Sequence, residues 1–333
     1  MGSIVITTIQ APTDSVRAML DSGQRAGLGT IAIGDRKTPA AKWPEPARFV
    51  GIDAQAKLGF TLAALLPENH YARKNLGYLL AMAGGAPLIF DTDDDNAPLP
   101  SWSRRELEVQ AESCAHRGWV NAYRWFSDEH VWPRGLPLES VAAGAHSPPL
   151  APASIARAPI QQGLADGSPD VDAVWRLLLD KDIRFRQRGS ILLEEGAWCP
   201  FNSQSTWWFP DAYPLMYLPS LVSFRMTDIW RSFVAQRCLW AMGAGVVFHS
   251  AEMFQDRNPH NLLRDFEQEI PGYLANERIR VLLDALELEP GADAAGRNCL
   301  RCYEALVQAG IVPAGELPLL HAWLADVDAL RAA

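Results

Sequence analysis

The alternation of strand and helix signals over the first hundred residues constrains the fold most strongly. "SIVITTI" is a β-branched run, "TDSVRAMLDSGQRAG" reads as a short helix opened by a Thr13 cap, and "LGTIAIGD" is a second strand ending on Asp35. Strand, helix and strand in that order make a βαβ start. A loop rich in Pro, Lys and Trp follows, then "ARFVGIDAQAKLGF", then a helix over "HYARKNLGYLLAMAGG" that ends on paired glycines, as helix C-termini often do. The next strand is "APLIF". At its carboxyl end "DTDDDN" places four carboxylates within five residues, where they repel one another. In open α/β sheets ligands sit outside the carboxyl edge of the strands. A hard divalent cation such as Mg²⁺ or Mn²⁺ takes carboxylate and phosphate oxygens together, which lets such acids coexist. Asp93, Asp94 and Asp95 are therefore candidates for a metal and diphosphate site. Asp35 is placed to approach the same edge, and Lys74 to reach a diphosphate. Taken alone, a D-x-D triplet is also compatible with a solvated loop.

Composition narrows the function classes. The 333 residues are 48% hydrophobic and 21% charged, enough to bury one large core, with or without a smaller appendage. A formal net charge of −9, with no clustered Lys/Arg, argues against nucleic acid or an anionic membrane surface as partner. No stretch approaches the roughly 20 apolar residues of a membrane helix. The start "MGSIVITTIQ" enters a strand-like run with neither a basic n-region nor a cleavage site, so a soluble, unexported, cytoplasmic chain is expected. Five cysteines form no disulfide-like framework, and Cys299 and Cys302 fall in "GRNCLRCYEAL", which reads as an amphipathic helix rather than half of a zinc site.

From Leu136 to Pro169 the chain is rich in Pro, Ala, Gly and Ser and reads as an extended excursion or a large loop. Beyond it, "DVDAVWRLLLD" is helical, "CPFNSQSTWWF" strand-like or irregular, "MTDIWRSFVAQRCLWAMGAG" a strong amphipathic helix, and "VVFHS" a short buried strand. The remainder is mostly helical. The expected organisation is one α/β domain over 1–275 and a helical C-terminal appendage over 276–333.

The stretches "RKNLGYLLAMAGGAPLIFDTDDDN", "TDIWRSFVAQRCLWAMGAGVVF" and "QDRNPHNLLRDFE" resemble the STELLO family, glycosyltransferases of plant Golgi membranes with soluble bacterial relatives. "PRGLPL", "QQGLADGSPDVDAVWRL" and "FHSAEMFQDRNPHNLLRDF" are similar to the reversibly glycosylated polypeptides, which act as UDP-arabinopyranose mutases. The joint match spans roughly residues 4 to 270 and leaves the tail uncovered. Both resemblances imply the GT-A fold, a Rossmann-like α/β domain whose D-x-D acids hold a divalent metal on the donor diphosphate.

Carried over by position, the resemblance assigns Asp93 and Asp95 to the metal, with Asp94 close by, and Thr8 and Asp35 to the nucleoside. Lys74 and Asn75 fall where that fold has an Arg-Asn pair beside the donor, although lysine loses the bidentate fork. Asp228 falls at the acidic position near the acceptor, where it can serve as general base, and Thr-Asp before a helix is equally a good N-terminal cap. His249 and His260 lie where a histidine can complete the metal shell, and are equally compatible with structural hydrogen bonding. Arg134 corresponds to the arginine linked to sugar attachment in the mutases, and a guanidinium there can also clamp a diphosphate. Twelve tryptophans exceed what a core needs, so some are candidate platforms for sugar rings, while most of them read as core. The expected function is a metal-dependent glycosyltransferase acting on a nucleotide-diphosphate sugar donor and a carbohydrate acceptor. A pyranose/furanose mutase and a non-catalytic sugar-nucleotide-binding scaffold are the alternatives.

Overall fold

The computed structural model describes residues 1–39, 43–144, 147–257 and 261–332. The strands are β1 (Gly2–Thr7), β2 (Leu28–Ile33), β3 (Arg48–Val50), β4 (Ile89–Thr92), β5 (Asn96–Pro98), β6 (Glu108–Cys114), β7 (Gly118–Trp119), β8 (Ala151–Arg157), β9 (Ile160–Gly167), β10 (Ser190–Leu193), β11 (Ala197–Trp198), β12 (Ser205–Trp208) and β13 (Val246–Gln255). Eleven of them form one mixed sheet in the order β3-β2-β1-β4-β12-β9-β13-β10-β6-β8, with β5 paired to the end of β13. β7 and β11 make a separate ribbon. The architecture is α/β, as the sequence implies.

The βαβ start forms as read. Thr13 Oγ1 accepts a hydrogen bond from Val16 N at 3.1 Å and opens the helix Asp14–Arg25. That helix buries Val16, Met19 and Leu20, and β1 and β2 pair in parallel on either side of the crossover. β1 also pairs in parallel with β4. The helix Lys74–Ala83 packs so closely on β1 that a Cβ at Gly77 would lie 2.5 Å from a Val5 methyl, so only glycine fits there. β12 runs antiparallel to both β4 and β9, and β9 runs parallel to β13. The carboxyl ends of β1, β2, β4, β9 and β13 and the start of β12 therefore reach one edge of the sheet.

The segment Leu136–Pro169, expected to be an excursion, contains the edge strand β8 and the central strand β9. The turn and polar residues of "IQQGLADG" hide this, because the strand buries Gln161 and Gln162 instead of an apolar run. Each glutamine is fully engaged. Gln162 Oε1 accepts from Asn202 N and Thr206 Oγ1 at 3.0 and 2.9 Å, while Gln161 Nε2 donates to the Glu106 carbonyl at 2.7 Å.

The C-terminal helices share the core of the sheet domain. The helix Leu262–Asp284 runs unbroken through residue 275, so the expected boundary falls inside a helix. Val5, Tyr78, Tyr217, Tyr303, Trp323 and Val327 belong to one contiguous cluster of buried apolar side chains. Polar ties reinforce it: both Asp326 carboxylate oxygens accept from Thr61 N and Leu62 N at 2.9 Å. The buried Glu316 accepts from Ser220 N at 2.9 Å, from Leu221 N at 2.6 Å and from the Tyr217 hydroxyl. All twelve tryptophans are buried. The five cysteines are free and buried, Cys299 and Cys302 on the helix Ala295–Gln308. Among the described residues no helix is long and apolar enough to cross a membrane.

Candidate active site

A cavity of about 730 Å³ lies along the carboxyl edge of the sheet. Thr8, Asp35, Asp93, Asp94, Asp95, Arg134 and Asp228 all line it, so the fold gathers seven of the expected site residues from positions up to 220 apart in the chain. Its aromatic lining comes from Tyr71 and Phe224, and none of the tryptophans reaches it, so the expected sugar-stacking role of tryptophan has no support in the geometry.

The acids at the end of β4 are held individually. Asp91 is fully buried between Lys74 Nζ at 2.6 Å and Arg231 Nη1 at 3.1 Å. Asp93 accepts from Lys74 Nζ at 2.9 Å and from the Tyr71 hydroxyl at 2.7 Å. Asp94 accepts from Thr8 Oγ1 at 2.5 Å, which ties the end of β1 to the acidic turn, and its carbonyl accepts from Thr13 Oγ1 at 2.6 Å. Asp95 accepts from Asn96 Nδ2 at 3.1 Å and from Gln255 Nε2, at the end of β13, at 2.9 Å. Lys74 and Arg231 pair with Asp91 and Asp93, so of the four carboxyl groups Asp94 and Asp95 have no paired cation among the described residues. Burial is the main cause that raises Asp93 and Asp94 above the usual carboxylate range. Burial first, then repulsion from Asp93 and Asp94, pushes Asp95 up to about 7.

On the other side of the cavity Arg134 joins two acids. Its Nε and Nη2 donate to the two oxygens of Asp170 at 2.7 and 2.9 Å, Nη2 also reaches both oxygens of Asp228 at 3.1 Å, and Nη1 donates to the Arg225 carbonyl. Gly135, at φ +94, makes this possible: a Cβ there would lie 2.4 Å from an Ile229 methyl on the following helix. Asp228 also accepts from Ser203 N at 3.3 Å. It lies in the first turn of the helix Thr227–Ala241, but among the described residues no side chain caps that helix, and the carboxylate pairs with Arg134 in place of the expected capping role.

Three expected positions are occupied otherwise. Lys74 is completely buried and spends its ammonium on Asp91, Asp93, the Thr92 carbonyl and the Tyr71 hydroxyl, so it is an internal counter-cation and not a group facing a diphosphate. Asn75 is fully buried, bonds Leu218 through both ends of its amide, each at 2.9 Å, and does not line the cavity. His249 does not line the cavity. It lies six residues back along β13 from Gln255, roughly 20 Å of extended chain. Its ring nitrogens pair with Ser190 Oγ at 2.8 Å and Gln161 Oε1 at 2.9 Å. Burial holds it neutral, with its pKa well below the ordinary value, so it is a structural histidine. His260 lies outside the described residues. Asp35 lines the cavity while its carboxylate accepts from Arg36 N at 2.7 Å and His70 N at 3.0 Å.

Sequence reasoning missed Asp170 and the arginines Arg176, Arg225 and Arg257, which also line the cavity. They are scattered through the chain without a motif, and only the approach of β9, β13 and the following helix brings them together. Among the described residues no three His, Cys, Asp or Glu side chains are arranged as a metal cage.

Fold and site together define an α/β protein with an acidic and an arginine-bearing wall facing one cleft at the carboxyl edge of its sheet. A family model described as STELLO glycosyltransferases matches residues 225–332. The match includes the tail, which the motifs quoted above leave uncovered. The probable glycosyltransferases STELLO1 and STELLO2 of Arabidopsis thaliana are each 31% identical to the chain over 266 residues, covering 74% of it. The chain spans about a third of these curated relatives, 34% of each. It is a STELLO-like protein. A solved structure titled "Crystal Structure of a Mycobacterial Protein" aligns over 84% of this chain and 74% of its own at 9% identity and a TM-score of 0.39, too remote to inform fold or chemistry.

Proposed function

We propose that the chain is a glycosyltransferase of the GT-A type that takes a nucleotide-diphosphate sugar as donor, a divalent cation, Mg²⁺ or Mn²⁺, as cofactor and a carbohydrate as acceptor. The observation that carries the reading is the pair of carboxyl groups, Asp94 and Asp95, that have no paired cation among the described residues at the end of β4, inside a cleft that continues to Thr8 and Asp35. The donor set fits such an ion. Mg²⁺ and Mn²⁺ are commonly held by one or two carboxylates, with substrate phosphates and water filling the other positions, so a preformed cage of three protein ligands is not required. Asp95, with Asp93 beside it, would hold the cation. When bound, the cation would neutralise charge on the leaving diphosphate. Thr8 and Asp35, on neighbouring strand ends, would face the nucleoside.

Asp228 is the group we assign to the acceptor. It lines the cleft as a carboxylate held by Arg134 and Ser203 N, so its lone pairs are oriented before an acceptor hydroxyl arrives. Arg134 then acts as a positioning residue. Its Nε, Nη1 and Nη2 are already engaged, and against the lowering effect of burial the charges of Asp170 and Asp228 raise its pKa well above the ordinary value, so it has neither a lone pair for a sugar nor a free fork for a phosphate. That argues against the mutase reading and against the simple phosphate clamp alike.

The test is a screen of nucleotide-diphosphate sugars with Mn²⁺, following hydrolysis, isomerisation and thermal stabilisation in the same samples. Transfer or slow hydrolysis with stabilisation is expected. Isomerisation without acceptor favours the mutase, and stabilisation with no turnover in any acceptor mixture favours a non-catalytic scaffold.

A further inference from the structure

Arg176, Arg225 and Arg257 come from three separate segments, and all three reach the cleft. Like charges are not gathered at random. Arg225 is held by Glu269 at 2.9 Å and Arg257 by Asp265 at 2.8 Å, and both acids belong to the helix Leu262–Asp284, behind the cleft wall. Neither acid lines the cleft although both arginines do, so each guanidinium is anchored by an acid outside the cleft, and five N–H groups exceed what one carboxylate can accept. Arg176 is 5% exposed and donates through Nη2 to the Pro169 carbonyl at 2.7 Å, while its buried Nε has no partner among the described residues. An unmet buried donor is costly, and a ligand oxygen would satisfy it. Burial, then repulsion from Arg257, lowers the pKa of Arg176 to about 10, and burial, then Arg225, lowers that of Arg257. An anion would relieve both.

The position of the trio separates it from the donor acids. Arg225 and Arg257 both act on Asp170, helping Arg134 to hold its carboxyl below the usual range against the effect of burial. Asp170 shares Arg134 with Asp228, the Arg225 carbonyl accepts from Arg134, and Arg176 bonds the carbonyl of Pro169 beside Asp170, which ties the trio to the acceptor-side pair.

We propose that Arg176, Arg225 and Arg257 form a subsite for an oxyanion carried by the acceptor, a phosphate or a carboxylate group, next to Asp228. The assignment to the acceptor rests on the glycosyltransferase reading above. The oxyanion site itself rests on the arginines alone.

The 333-residue chain, in chelator, is titrated calorimetrically with glucose 6-phosphate, glucuronic acid and glucose. One or both anions are expected to bind at least about tenfold more tightly than glucose, which also distinguishes phosphate from carboxylate. Arg225→Gln and Arg257→Gln should each weaken the anion about tenfold or more without changing the response to glucose. Arg225→Gln leaves Glu269 with Ala173 N and the Tyr273 hydroxyl as donors, so the fold is expected to survive, and Arg225→Lys supplies a second variant that keeps the charge and loses the fork. Equal binding of anions and glucose, or anion binding untouched in folded variants, overturns the subsite. Repeating the titration with UDP or GDP and Mn²⁺ present places it: undiminished anion binding supports the acceptor side, and competition overturns that assignment in favour of the donor diphosphate. Failure of either nucleotide to bind counts against the donor reading alone, and the metal-free titrations still decide the oxyanion site.

Discussion

Lys74 Nζ lies 2.6 Å from Asp91 Oδ1, and both side chains are completely excluded from solvent. The pair sits directly beneath the acidic turn, and the same ammonium reaches Asp93 at 2.9 Å. Removing one member of a buried ion pair strands the other charge at a cost of about 3–5 kcal/mol. Lys74→Met is therefore expected to lower stability by that order in urea unfolding, with Arg231 left as the remaining partner of Asp91. Stability equal to the parent's, together with lost nucleotide affinity, would return Lys74 to the ligand role that its sequence position implies.

Asp228 and Arg134 should fail differently. Asp228→Asn keeps the size and one acceptor oxygen but removes the basic carboxylate, so turnover with a suitable acceptor is expected to fall by about 10² or more. Donor affinity should hardly change. Arg134→Lys loses the fork that grips Asp170 and orients Asp228, so it should lower kcat while leaving the donor KM close to the parent value. Intact-protein mass spectrometry of the parent and of Arg134→Lys after incubation with donor should detect no sugar adduct in either. A stable adduct on Arg134 would sink the positioning role and revive the mutase.

Much of this site was legible in the sequence because strand ends are legible. Thr8, Asp35 and Asp93–Asp95 each follow a β-branched or apolar run, and the βαβ order alone sends those ends to one edge. Burial was not legible. Lys74 and Asn75 open the helix that precedes β4, and only the packing of that helix shows that one is an internal counter-ion and the other a tie to Leu218. His249 misled because "VVFHS" ends the apolar run, whereas the strand continues to Gln255, and it is the far end that reaches Asp95. β9 was hidden by its own buried glutamines, since a strand that satisfies polar side chains internally loses the alternation by which strands are recognised. Asp170 follows β9, so the same omission concealed it.

Asp172 provides a pH signature of the folded state. It is fully buried, caps the helix Ala173–Leu178 through Trp175 N at 2.8 Å and accepts from Trp132 Nε1 at 2.6 Å. Burial pushes its pKa up to about 6, against the pull of those two hydrogen bonds. The folded state thus holds this proton more tightly than the unfolded chain, whose aspartate titrates near about 3.9. Its contribution is present in full below about pH 4 and is lost as pH rises to about 6, a change of about 3 kcal/mol for a shift of about two units. Asp172→Asn mimics the neutral acid and should lack that loss. Urea unfolding of both proteins between pH 4 and 7.5 should show the parent losing stability relative to the variant across that window, and a difference independent of pH would remove Asp172 as the source.

The metal assignment is tested most directly at Asp95, whose carboxyl is pushed up to about 7 by burial and by Asp93 and Asp94. The sign follows as for Asp172: without metal, the charged form weakens the folded state as pH rises from about 4 to about 7. Asp95→Asn should therefore leave the metal-free protein as stable as the parent at pH 8, or more so. A cation needs the deprotonated carboxylate, so binding of UDP or GDP with Mn²⁺ to the parent should weaken as pH falls below about 7, by up to about tenfold per unit for one displaced proton. In Asp95→Asn the Mn²⁺-dependent part of that binding should be largely gone at every pH, and Asp93→Asn should reduce it as well. Calorimetric titrations of the parent and both variants at pH 6 and 8, with Mn²⁺ or with chelator, separate the cases. Nucleotide affinity that is the same with metal and with chelator, and the same in all three proteins, would show that the acids of the β4 turn hold no cation for the donor.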